Sequence, residues 1–522
     1  MDEVRLKSTM RSAALRLAAL TLVVGVAAVT RMPYCTNDLF LGDAADYLRS
    51  VQSGLVSVYF DRHSTSVLPF TNLVREQLKA GEHPWEYLYR RGDSSALRHF
   101  HVPAGFYGDA LAMSLREPPW VHRAMAAATG SVLCGLMFTY LIRFGVPLSI
   151  AFAGTIMMAV DPRFVATNVD INPHTPFLLF GFLCLFNLIE FLQNRRMAPY
   201  IASLVCLAIS LAVLELGPAL MLTGIFAIGL SWQTLMLKNF FGPDRTRKVL
   251  LAVAVFLGVL LLVWPGGFIE GGYVKSYGVF IWQALFRHEE LFGPINPATI
   301  WNNLFGRSIV CASLCIWAVV GGSWIYARKK SPPAMLVFVI YAVLAAALNL
   351  GNRYRNATYA SEAILPLLVA SIVVSSTALA HCKSKTTRLV LHILLFSVCM
   401  VRSAQELRTL PDPNDKPITI ALERVISDIR RIVPPPATLL VNKYRETYSL
   451  YLPDYAIEVT QGPGTIVPLL DESTVNTKYL LLDIASIDPE ATNKLNIRYQ
   501  LMTSFGGTPG GVKISLYQQR IR

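Results

Sequence analysis

Asp43 and Asp46 stand three residues apart in Gly42-Asp43-Ala44-Ala45-Asp46-Tyr47. That spacing puts two carboxylates on one face of a helix. Each raises the other's proton affinity, which suits general-base work on a hydroxyl. The same spacing suits helix capping, with Asp43 as N-cap and Asp46 in the first turn. His99 and His101 follow in the segment 98–107. They could titrate near neutrality or contact a substrate, but no third ligand at metal spacing accompanies them. Asp170, in a stretch that also holds Asp161, Asn168, Asn172 and His174, reads as a second acid of a site or as the cap of the next helix. Arg353-Tyr354-Arg355 places two guanidinium forks beside an apolar run, where each matches phosphate oxygens, those of a substrate or of a phospholipid.

The elements that must position these groups lie mostly in a membrane. Of 522 residues 53% are apolar and only 16% charged, against about 25% charged in soluble chains. Disorder, fibrous architectures and a disulfide-stapled module are excluded. The eight cysteines lie almost all inside apolar runs and make no C-x-x-C pair, so they read as packing residues. The net charge of +13 would suit nucleic acid, but its placement between apolar runs is that of cytoplasmic membrane loops.

Apolar runs of spanning length, roughly 20 residues, fall near 12–30, 121–141, 146–160, 174–192, 198–214, 217–237, 249–264, 306–326, 333–350, 359–380 and 388–402. This predicts about eleven spans. Basic clusters near the N-terminus, at Arg143, Arg195–Arg196, 238–248, 328–330 and 383–388 occupy every second connection. The positive-inside rule then puts the N-terminus in the cytoplasm and the C-terminus outside. The expected organisation is a membrane module over 1–402, with outer loops at 31–120 and 265–305, and an extracytoplasmic α/β domain over 403–522. In that domain a helical stripe runs through Ala421, Leu422, Val425, Ile426, Ile429 and Ile432. Strands are expected at 438–441, 479–483 and 512–517, with the glycine cluster 506–511 as a hairpin loop.

The order of these parts resembles the GT-C superfamily of membrane glycosyltransferases, nearest to its protein O-mannosyltransferase and lipid A aminoarabinose-transferase group. The counterparts are Gly42 to Tyr47 after the first span, the segment from Arg98 to Tyr107, and Arg353-Tyr354-Arg355 followed by Pro366. The resemblance covers roughly 1–402. It differs in the second acid, which is not adjacent to Asp43, and in His101-Val102-Pro103, which interposes one residue in a His-Pro pair. It implies a polyprenyl-phosphate-linked sugar donor, a protein, lipid or glycan acceptor, and a bacterial inner membrane. Asp43 would be the general base of an inverting transfer, with Asp46 or Asp170 in support. Arg353, Tyr354 and Arg355 would hold the donor phosphate, and His99 and His101 would touch substrate. No cofactor is implied with certainty; paired acids leave room for a divalent cation.

Two other classes meet the same composition. A secondary transporter or flippase would use intramembrane ionisable residues on broken helices in repeated halves. Glu215, beside Gly217-Pro218, is the feature it could use, but no internal repeat is visible. A non-catalytic scaffold explains the spans but not the charges gathered at their outer ends.

Overall fold

The computed structural model describes residues 2–60, 102–231, 244–269, 309–327, 333–350, 357–410, 417–442, 444–459, 479–483, 499–505 and 514–520, with isolated positions between them. The chain divides into two compact units. The larger, membrane unit comprises residues 1–35, 53–115 and 121–410; the terminal unit comprises 36–52, 116–120 and 411–522. Sequence analysis assigned 36–52 to the membrane module, whereas that segment packs with the terminal unit.

Helices α1 (Asp2–Arg31), α2 (Gly42–Val51), α3 (Leu55–Tyr59) and α4 (Tyr107–Ser114) lead into a series of apolar helices. These are α5 (Pro119–Arg143), α6 (Leu148–Ala159), α7 (Pro162–Thr167, a short connector), α8 (His174–Asn194), α9 (Met197–Val213), α10 (Gly217–Ser231) and α11 (Arg245–Val263). They continue with α12 (Ile309–Ala327), α13 (Pro333–Leu350), α14 (Ala357–Ala380) and α15 (Lys385–Arg408). Each of the expected spans overlaps one of these helices or α1, with 232–237 and 306–308 outside the described residues. Among the described residues six helices are long and apolar enough to cross a membrane, and five apolar helices are shorter, at 10–17 residues.

Their packing shows why the runs are apolar on all sides. α5, α8 and α14 bury half or more of their most apolar stretch inside the unit. α1, α11 and α15 instead leave large side chains outward, such as Leu262 at 71% and Leu389 at 60% exposure. An apolar surface of that extent belongs in lipid. The chain is an integral membrane protein.

The bundle also buries charge. Asp161 caps α7, accepting from the amides of Arg163 and Phe164. Its carboxylate meets Arg163 Nη2 at 2.6 Å and Arg402 Nη2 at 3.1 Å, and Arg402 reaches Glu406 at 3.2 Å. Burial alone would push the Asp161 carboxyl up; the Arg163 and then the Arg402 guanidinium outweigh it and hold it below the usual range.

In the terminal unit, α16 (Pro417–Ile432) covers a sheet of β1 (Ala437–Val441), β2 (Tyr455–Val459), β3 (Tyr479–Asp483), β4 (Tyr499–Phe505) and β5 (Ile514–Gln519), with α17 (Arg445–Tyr451) between β1 and β2. The order is β2-β1-β3-β5-β4. β1 runs parallel to β2 and β3, while β5 is antiparallel to β3 and β4. Leu422, Val425, Ile426 and Ile429 of the expected stripe pack on Leu439, Val441, Leu481, Ile514 and Leu516. β4 and β5 are antiparallel neighbours; the 506–511 cluster lies outside the described residues.

Candidate functional site

The site residues read from sequence separate between the units. Asp43 and Asp46 lie on α2 in the terminal unit, and Asp170 lies in the membrane unit. His99, His101, Arg353, Tyr354 and Arg355 lie outside the described residues.

α2 starts two residues earlier than capping by Asp43 requires. Its N-cap is Leu41, in extended conformation, so Asp43 is the second residue of the first turn. The helix buries Ala44, Ala45, Leu48 and Val51. At 100° per residue those four positions form one stripe, and positions 43, 46 and 50 lie on the opposite face. Asp46 is half-buried.

Asp170 lines a cavity of about 440 Å³ within the membrane unit. The wall is built from the turn at Pro103–Phe106, from α4, from the first half of α5 and from the stretch leading into α8. Asn172 shapes that stretch. Its Nδ2 donates to the carbonyls of Thr167 (2.8 Å) and Asp170 (3.1 Å), and its Oδ1 accepts from the amides of His174 and Thr175. The first turn of α8 is thus satisfied by Asn172, not by Asp170. Asp170 Oδ1 accepts from the next residue's amide, Ile171 N, at 2.9 Å. Thr175 Oγ1 binds the Thr167 carbonyl at 2.6 Å, and His174 Nδ1 meets the fully buried Glu362 at 2.5 Å. These contacts tie the loop to α7 and α14.

Across the cavity, Asp109 of α4 and His122 of α5 pair at 2.7 Å through Nδ1. A carboxylate on Nδ1 fixes the ring and its tautomer, with Nε2 as the basic atom of the neutral form. Burial pushes the Asp109 carboxyl above its ordinary value, against the opposing His122 hydrogen bond and charge. Sequence reading missed this pair because the partners are 13 residues apart on different helices. The available signal was His122 itself, an ionisable residue just inside an apolar span, which is expensive there without a partner.

Small residues make the room. A Cβ on Gly105 would sit 3.2 Å from Pro173 Cβ and 3.3 Å from Val213 Cγ1, so a larger residue there would press the turn and α9 apart by a few tenths of an ångström. On α5, a Cβ on Gly130 would meet Asn168 Oδ1 at 2.0 Å. Glu215, in the break between α9 and α10, accepts the backbone amide of Val102 at 3.0 Å. The feature a transporter would use therefore anchors the segment that forms the cavity wall. Among the described residues no group of three or more His, Cys, Asp and Glu side chains could hold a metal ion.

Comparison with solved structures gives this polytopic helical unit and small α/β unit the fold of GT-C glycosyltransferase structures. The chain has that fold. The structure of ArnT from Cupriavidus metallidurans in the apo state is similar over 95% of this chain and 97% of that one, with a TM-score of 0.55 at 12% identity. The same protein bound to undecaprenyl phosphate gives 0.51 over the same shares, also at 12% identity. The apo oligosaccharyltransferase of Archaeoglobus fulgidus gives 0.50 over 96% of this chain and 74% of that chain, again at 12% identity. No family model and no curated protein matches the sequence.

Proposed function

We propose that the protein is a membrane glycosyltransferase that moves a sugar from a polyprenyl-phosphate-linked donor to an acceptor hydroxyl on the extracytoplasmic face. The supporting observation is the Asp170 cavity in a GT-C fold shared with ArnT, one of whose structures holds undecaprenyl phosphate. Its polar groups and small residues suit a sugar ring, which needs both hydrogen-bonding and close apolar contact. The resemblance points to a bacterial inner membrane, and the alternating basic clusters support a cytoplasmic N-terminus with the terminal unit outside.

In the proposed reaction the acceptor oxygen attacks the anomeric carbon as its proton passes to a carboxylate. The bond from that carbon to the phosphate oxygen breaks, and polyprenyl phosphate leaves with the electron pair. The anomeric configuration inverts. Arg353 and Arg355 hold the departing phosphate, whose charge grows as the bond breaks, with Tyr354 beside them. Asp43 is the base, with Asp46 or Asp170 in support; the role passes to Asp46 or Asp170 if Asp43 proves dispensable.

The test is complementation of cells lacking the protein by Asp43→Asn and Asp170→Asn, with sugar incorporation into envelope glycoconjugates as the readout. Asn conserves size and capping ability, so a base shows itself by a loss on the order of 10²–10⁴-fold. Near-normal incorporation by Asp43→Asn with loss in Asp170→Asn moves the base to Asp170. Near-normal incorporation by both removes carboxylate catalysis by either residue.

A further inference from the structure

The residue before the acidic helix is held at both of its backbone polar groups by side chains of the terminal unit. Phe40 N–H donates to Tyr451 Oη at 3.0 Å, and Thr447 Oγ1 donates to the Phe40 carbonyl at 3.2 Å. Both side chains belong to α17, one helical turn apart. An extended residue that leads into a helix has no strand to satisfy it, and Phe40 and Thr447 are buried at 1% and 0% exposure. Loss of α17 would remove both of these bonds from a buried segment, which is costly.

Apolar contacts extend the grip. Leu39 and Leu41, on either side of Phe40, pack on the core formed by α16 and the sheet. The stripe Ala44, Ala45, Leu48 and Val51 buries the inner face of α2, and α2 packs along α17. α17 is itself tied down: Arg430 of α16 donates to the Tyr451 carbonyl at 2.6 Å, and Tyr448 is buried in the same core. Positions 43, 46 and 50 lie outside that stripe.

We infer that the terminal unit is a positioning device for the Asp43 helix, with Thr447 and Tyr451 as its positioning residues. The pair fixes where α2 begins and how its buried stripe sits, and so sets where the backbone carries positions 43 and 46. A base misplaced by about 1 Å loses on the order of 10²-fold in rate, so a catalytic helix on a loop needs such a fixture. This inference rests on the proposed role of Asp43, but its physical content, the clamp, does not.

The experiment uses the full-length protein in detergent micelles, with Tyr451→Phe, Thr447→Val and Thr447→Ser. Hydrogen–deuterium exchange is followed in 39–51, with 437–441 and 479–483 as internal controls. In parallel, sugar transfer and donor KM are measured in membranes. A net hydrogen bond corresponds to roughly a fivefold change in local opening. Exchange over 39–51 should speed about fivefold in each of Tyr451→Phe and Thr447→Val while the sheet peptides stay unchanged. Turnover should fall with donor KM constant, and Thr447→Ser, which keeps the hydroxyl, should restore both. Tyr451→Phe removes one oxygen only and keeps the test open if the valine variant does not fold. Unchanged exchange over 39–51 overturns the clamp. Faster exchange with unchanged turnover overturns positioning. Failure of the Asp43 reading shows separately, as Asp43→Asn retaining transfer while the exchange result stands.

Discussion

Replacing Asp161 should be among the most damaging single changes outside any reacting group. The carboxylate is 2% exposed and Arg402 is 1% exposed. It accepts from Arg163 Nε (3.0 Å) and Nη2 (2.6 Å), from Arg402 Nη2 (3.1 Å), and from two backbone amides of α7. Removing one partner of a buried ion pair costs about 3–5 kcal/mol, because the remaining charge stays buried without its counterpart. Arg402 has little to fall back on. Its Nη1 has no hydrogen-bond partner among the described residues, and Glu406 engages only its Nε. Asp161→Asn keeps the cap but loses the charge, so about 3–5 kcal/mol is expected; Asp161→Ala loses the cap too and should cost about 1 kcal/mol more. The double variant Asp161→Asn/Arg402→Met should recover the part of the loss that comes from Arg402, whose buried charge goes with its partner, while Arg163 keeps its charge. The assay is thermal inactivation of the purified protein, followed by tryptophan fluorescence and size-exclusion recovery. A single variant as stable as the parent, or a double variant whose effect is the plain sum of the two singles, would refute the reasoning.

Gly130→Ala forces Asn168, whose Oδ1 would lie 2.0 Å from the new Cβ, out of its buried place; overpacking of this kind costs about 1–3 kcal/mol, read as a lower unfolding midpoint. Asp109 gives a pH signature. Its folded carboxyl sits above the ordinary 3.8, so the folded state holds the proton more tightly than the unfolded chain, and stability falls as pH rises from 3.8 through the raised value. Asp109→Asn should abolish that decline, and unfolding midpoints of parent and variant that run parallel from pH 3.5 to 6 would contradict it. Asp161 has the opposite sign. Its contribution is complete above its unfolded value and is lost only as pH falls below that through the folded one. Replacing both Arg353 and Arg355 with Ala should abolish retention of a polyprenyl-phosphate donor, measured by mass spectrometry of co-purified lipid; undiminished retention would remove the phosphate assignment.

The membrane helices were legible because an apolar run of spanning length has few alternative fates, and each predicted run overlaps a helix. α16 was legible for a related reason: Leu422, Val425, Ile426 and Ile429 repeat at helical spacing and do pack on the sheet. β2 and β4 escaped notice. A glutamate interrupts Tyr455–Val459, and Tyr499–Phe505 is exposed at most positions along an edge, so neither shows an unbroken apolar run. The division into units was not legible, because nothing local in Leu39-Phe40-Leu41 announces that its partners are Thr447 and Tyr451, about 400 residues away. Acid positions could be read from sequence, but not their partners. Asn172 rather than Asp170 caps α8, and the Asp109–His122 pair exists only once α4 and α5 fold together.

The most direct test of the account is the lipid extract of cells lacking the protein, compared with cells restored by the parent chain. The account predicts that a polyprenyl-phosphate-linked sugar accumulates in the deficient cells, while one sugar disappears from an envelope glycoconjugate. Restoration by the parent chain should reverse both changes, and restoration by Asp43→Asn should reverse neither. An unchanged pool of lipid-linked sugar, together with lost uptake or export of a small polar solute, would contradict glycosyl transfer and return the protein to the transporters.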